Sequence, residues 1–169
     1  MREMSPSELR ELAADIENEL RQLARLEADI QYVQGEIQRD PARAALFHEN
    51  LALKLHNFYT GCERIFRLIA SELNSALPSG YDWHKRLLDR MSIEREGRPA
   101  VLAQDTARRL EEYLAFRHAV RNVYGYELDS RRVARLVADY PSTWHLFQVQ
   151  VKDFVKWLRD VADQLETGG

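Results

Sequence analysis

The opening third of the chain carries the pattern that most restricts its fold. Leu9, Leu12, Ile16, Leu20, Leu23, Leu26, Ile30, Val33 and Ile37 recur at spacings of three and four residues. At about 100° per residue that places them on one face of a helix. Ser5-Pro6-Ser7-Glu8 reads as its start, with a serine N-cap, proline at the first helical position and a glutamate able to return a hydrogen bond to the cap. Asp40-Pro41 reads as its end, so a long N-terminal helix is predicted over residues 1–40.

A second stripe, Leu51, Leu55, Phe58, Cys62, Ile65, Ile69 and Leu73, predicts a second helix within 41–76, packed on the first as an antiparallel hairpin. Pro78, Gly80, Gly97 and Pro99 punctuate a structured connector over 77–104, with a short helical piece around "WHKRLLDRM". A third main helix is predicted over 105–124. Residues 129–166 should hold two more, one after Asp129-Ser130 and another restarting after Tyr140-Pro141. No segment alternates as a strand would, so the prediction is an all-α, up-and-down bundle forming a single domain over 1–169.

Composition narrows the class. With 30% charged and 45% hydrophobic residues, the balance is that of a soluble, helix-rich globule without a membrane span. The N-terminus is acidic and amphipathic rather than an apolar leader, which places the expected location in the cytoplasm. Cys62 has no partner for an intramolecular disulfide and reads as a buried small hydrophobe. The net charge of −3 argues against general adhesion to nucleic acid. The charge is uneven: residues 1–40 carry 5 Arg against 10 acidic residues, net −5, whereas 105–135 carry 7 Arg against 5, net +2.

The basic region contains "FRHAVRNVYGYELD", residues 116–129, where Arg117, His118, Arg121, Asn122, Tyr124 and Tyr126 fall within little more than three turns. Tyr113, Phe116, Val120 and Val123 form the apolar arc, and Arg117, Arg121 and Tyr124 sit side by side just off it. Leu110 and Leu114 share the direction of the two arginines, so that face is expected to be covered, most simply by a second copy of the protein. One reading makes the arginines solvated or paired with acids such as Glu111. The other is phosphodiester chemistry: guanidinium groups bind phosphate oxygens, and an imidazole moves a proton near neutral pH.

This stretch resembles the signature region of the HEPN superfamily, and in particular of HepT-like toxins, whose motif is an arginine and a polar residue followed some positions later by His-x-Tyr. "LALKLHNFYTGCERIF" and "SGYDWHKRLLDRMSI" also resemble that branch, so the similarity spans most of residues 51–160. The resemblance implies an all-α HEPN-like bundle that forms a homodimer with the two motif helices facing across a cleft. It also implies a metal-independent endoribonuclease acting on RNA, with tRNA the expected substrate, that needs no cofactor. Its implied partner is a minimal nucleotidyltransferase (MNT-type) antitoxin that silences the toxin by AMPylation of the motif tyrosine. Carried over by position, Arg117 is the motif arginine, His118 the polar residue after it and Tyr124 the AMP acceptor.

The motif histidine's position holds Asn122, which cannot act as an acid or base at neutral pH. His118, one turn earlier, is the expected replacement, with Arg117, Arg121 and Asn122 completing the catalytic group. The rivals are a catalytically inactive HEPN-type binding or scaffold protein, and a bundle that binds a nucleotide or other small phosphate ligand. Elsewhere, Tyr59 and Arg64 are read either as a polar packing seam or as cleft or antitoxin contacts, as is Tyr126. Gly61, inside a helix, is costly unless something packs close. His84 is read as a residue holding its loop. The stripe Trp144, Phe147, Phe154, Trp157 is read as core. The acidic first helix is read as a solvated face, with a dimer or antitoxin surface as the alternative because a helix of that length overhangs a compact bundle. Nothing here has metal-ligand spacing.

Overall fold

Five helices carry the chain in the computed structural model, which describes residues 3–74, 76–95, 97–122 and 128–168. They are α1 (Pro6–Arg39), α2 (Ala44–Asn74), α3 (Trp83–Met91), α4 (Gln104–Asn122) and α5 (Ser130–Thr167). Among the described residues there is no strand, and no helix is long and apolar enough to cross a membrane. The all-α bundle expected from the periodicity is what forms.

The start of α1 is a capping box. The Glu8 amide donates to Ser5 Oγ and the Ser5 amide donates to Glu8 Oε2, with Pro6 in the first turn. A single 3-10 turn, Pro41–Arg43, reverses the chain into α2. Leu23 and Gly61 lie equally far from that turn and touch, as an antiparallel hairpin requires. A Cβ at Gly61 would come within 2.4 Å of a Leu23 methyl, so the glycine makes room for a side chain of α1.

The long helices overturn two expectations. First, α1 does not overhang: α5 runs antiparallel along it, tied by Arg10 to Asp163 and Glu166, by Arg159 to Glu17 and by the Trp144 indole N–H donating to Glu27. Its stripe is accordingly buried from Leu9 to Val33, apart from the half-buried Leu26. Second, Pro141 does not restart a helix, because α5 is continuous through it. A proline inside a helix costs about 3 kcal/mol through its missing N–H and the clash with the preceding turn. Here the ring faces solvent while Tyr140, Thr143 and Trp144 are buried on the opposite side. Burial of those three side chains offsets the local penalty.

The core centres on Phe58 of α2. The rings of Tyr113, Tyr140, Trp144 and Phe147 stand edge-on to it, with centroids 5.0 to 6.4 Å away. Cys62 is fully buried beside them. In the connector, Arg98 is 2% exposed, and its guanidinium donates to Asn74 Oδ1 and to the carbonyls of Ile93, Pro99 and Arg90. Gly97, at φ +84°, makes the tight turn that brings it there. That pin fixes α3 against the C-terminal end of α2 and so sets where α3 presents its side chains. Phe58→Ala removes the ring shared by four aromatic neighbours, and urea denaturation is expected to show a loss of about 3–5 kcal/mol.

Candidate functional site

Arg117 is buried, only 1% exposed, in the single chain. Leu110 and Leu114, which share its direction, are buried too. The face expected to be covered by a second copy is therefore covered by this chain's own α2 and α3. Arg121, one turn on, is exposed and makes no ion pair among the described residues. The two arginines do not lie side by side as equivalent surface cations.

What balances the buried charge is Glu63 of α2. Arg117 Nη2 donates to Glu63 Oε2 at 2.9 Å and Nη1 to Oε1 at 3.4 Å, while Nη1 reaches Thr60 Oγ1 at 3.5 Å. The guanidinium carbon lies 4.9 Å from the centroid of the Tyr59 ring. The fit is incomplete, since Arg117 Nε and the Tyr59 hydroxyl are buried without a partner among the described residues. Tyr59 is fully buried and supports Arg117 from beneath. Burial first, then the neighbouring Glu63, pushes its phenol well above the ordinary range, which keeps it protonated.

Helix α3 brings a third member. His84 Nδ1 lies 2.6 Å from Glu63 Oε2 and 2.9 Å from Arg117 Nη2. A guanidinium can only donate, and a bare nitrogen 2.6 Å from a carboxylate would be repelled. Nδ1 therefore carries the proton and donates to Glu63, and it sits close to Nη2 because both donors converge on one oxygen. His84 stacks on Trp83 with centroids 3.6 Å apart, and its ring edge meets His118 at 5.4 Å. His84 thus ties the connector helix α3 to α2 and α4.

Sequence periodicity missed this cluster because Glu63 and Arg117 are 54 residues apart and His84 and Arg117 are 33 apart. One signal was available. Glu63 follows Phe58, Tyr59 and Cys62 on the stripe that α2 buries, and a carboxylate there demands a cation.

His118 lies on the exposed side of α4. Partial burial, then the positive groups His84, Arg117 and Arg121, hold it below the ordinary histidine range, which favours a neutral ring at pH 7. His56 is lowered as well, by burial and then by Arg121 and Arg117, against a hydrogen bond with Asn57 that opposes the shift. The Asn122 amide donates one of its two N–H groups back to the His118 carbonyl at 2.9 Å. Arg64 is exposed and lines a cleft of about 390 Å³ between α1 and α2, with Arg25, Asp29, Asn57 and Thr60. Tyr124 and Tyr126 lie outside the described residues. Among the described residues, no group of three or more His, Cys, Asp or Glu side chains is placed to hold a metal ion.

Two outcomes are expected. Glu63→Ala leaves Arg117 buried without a counter-charge and should cost about 3–5 kcal/mol in chemical denaturation, whereas replacing both partners with apolar residues of similar volume should cost less. In an NMR titration His118 should protonate at lower pH than a free histidine. Arg121→Gln removes a cation and should move that midpoint upward.

Neither the search of curated proteins nor that of solved structures gives a match. A family model described as HepT-like protein matches residues 50–158, which contain Glu63, His84, Arg117 and His118 and run from early α2 into α5. With well over half of the chain matched and an all-α bundle in place, the chain belongs to the HepT-like family of the HEPN superfamily.

Proposed function

We propose that the protein is a HepT-like toxin, a metal-independent endoribonuclease whose site is built on the last turns of α4. The observation that carries this reading is the exposed group His118, Arg121 and Asn122 on the last turns of α4, the helix that also carries the buried Arg117 of the Arg117–Glu63 pair. His118 is held toward the neutral form, as a general base at pH 7 must be. Arg121 is the exposed cation that a phosphate would meet first. Arg117, with both Nη groups engaged, acts through Glu63 on the shape of the site rather than on substrate.

In this reading a homodimer places two such surfaces across one cleft, doubling the positive charge that receives RNA, with tRNA as the expected substrate. The partner is an MNT-type nucleotidyltransferase that transfers AMP to Tyr124, two residues beyond Asn122. The added phosphate would compete with RNA for Arg121 by charge and by bulk. A second reading, a HEPN module that binds without cleaving, draws support from the Asn122 amide being engaged by the His118 carbonyl.

Total tRNA incubated with the unmodified protein in EDTA should be cleaved. His118→Ala and Arg121→Gln should each lower the rate about 100-fold or more. Intact mass after incubation with the nucleotidyltransferase and ATP should rise by AMP units, and Tyr124→Phe should abolish the gain. Intact RNA with wild-type protein would favour the binding module.

A further inference from the structure

We propose that His84, carried by α3, is a second proton-transfer residue of this site, supplying the imidazole that α4 lacks at position 122, with Glu63 as the residue that positions it. The inference rests on the ribonuclease reading and adds to it a residue from outside the motif helix.

RNA cleavage by the 2′-hydroxyl requires two proton movements, one off the nucleophile and one onto the leaving oxygen. A single imidazole cannot do both in the same step, and Asn122 can do neither. His84 meets the geometric needs of the second group. Its ring is 15% exposed, so one edge reaches the surface. Its edge-on approach to His118, at 5.4 Å between centroids, lets both rings contact one phosphodiester group. Stacking on Trp83 at 3.6 Å fixes the ring plane. The 2.6 Å hydrogen bond to Glu63 fixes the tautomer, leaving Nε2 as the working nitrogen. Nε2 makes no hydrogen bond to any described residue.

Glu63 is itself held from two sides, by His84 and by the buried Arg117. Among the described residues, the charged and titratable groups that face His84 are Glu63 and Arg67 on α2, the latter over the Trp83 ring, and Arg117 and His118 on α4. Because His118 is held toward its neutral form, it takes the base role, and the acid role falls to His84.

In the step so assigned, His118 takes the proton of the ribose 2′-hydroxyl as the 2′-oxygen forms its bond to phosphorus. The bond from phosphorus to the 5′-oxygen breaks, and His84, which enters the step as the imidazolium with Nδ1–H on Glu63, passes its Nε2 proton to that oxygen. The products are a 2′,3′-cyclic phosphate and a 5′-hydroxyl end. His118 leaves the step protonated and His84 neutral, and exchange with water resets both. No oxidant or further reactant is required.

The test compares two RNA oligonucleotides, one ordinary and one with sulfur in place of the 5′-bridging oxygen, with wild-type, His84→Ala and His118→Ala proteins. A thiolate leaves without being protonated, so only the acid becomes dispensable. On ordinary RNA, His84→Ala is expected to cleave about 100-fold more slowly than wild type. On the sulfur substrate that deficit should shrink to a few-fold, while the His118→Ala deficit persists. Damage that is merely structural would slow both substrates alike, so an equal deficit on both overturns the proposal even if the variant is partly unfolded. Unimpaired cleavage of ordinary RNA by His84→Ala also overturns it, and leaves the ribonuclease reading standing. If wild-type protein cleaves neither RNA, that reading falls and takes the proposal with it. Independently of activity, ¹⁵N NMR of the wild-type imidazoles at a pH where His84 is neutral should show its Nδ1–H tautomer, and the Nε2–H tautomer would overturn the positioning role of Glu63.

Discussion

A guanidinium taken out of water must be met by a carboxylate in good geometry, and the pair Arg117–Glu63 meets that requirement at the junction of three helices. The charge on α4 fixes the rotation of that helix against α2, because turning it would strand both ions. The same carboxylate takes a hydrogen bond from His84 and so draws α3 into register. Apolar packing alone tolerates small rotations of one helix on another, whereas converging hydrogen bonds on one oxygen do not. The position of every polar group at the end of α4 follows from that anchor.

The anchor also explains why two arginines one turn apart have different fates. Position 117 points at α2 and α3, and position 121 emerges past the cluster into solvent. Arg117 is thus held inside the helix junction, and the exposed cation on α4 is Arg121. Beside it, imidazoles from two helices meet edge to face, one on α4 and one on the connector helix α3.

Most of the architecture could be read from the sequence, because it rests on periodicity. The stripes of α1 and α2, the capping box at Ser5 and the cap at Asp129 are local patterns with local causes. Pro141 was misleading because the rule about proline is also local, while the burial of Tyr140 and Trp144 that overrides it is tertiary. The apparent overhang of α1 failed for a related reason, since dividing α5 in two removed its long partner. At the site, the residues of the motif helix were legible from residue type. The burial of Arg117, its pairing with Glu63 and the approach of His84 were not, since contacts between separate helices leave no period in the chain.

The pairing of α1 with α5 bears on how the molecule is made. Their side-chain contacts join residues 117 to 156 positions apart, whereas α1 meets α2 immediately across a short turn. During synthesis the α1–α2 hairpin can form early, but the side of α1 that α5 will cover stays exposed until α5 emerges. The hairpin also lacks α3 and α4 at that stage, so Glu63 has neither Arg117 nor His84. A nascent chain therefore holds no assembled site, and an interval with exposed apolar surface precedes the completed bundle, during which a chaperone or a pre-formed partner could engage it.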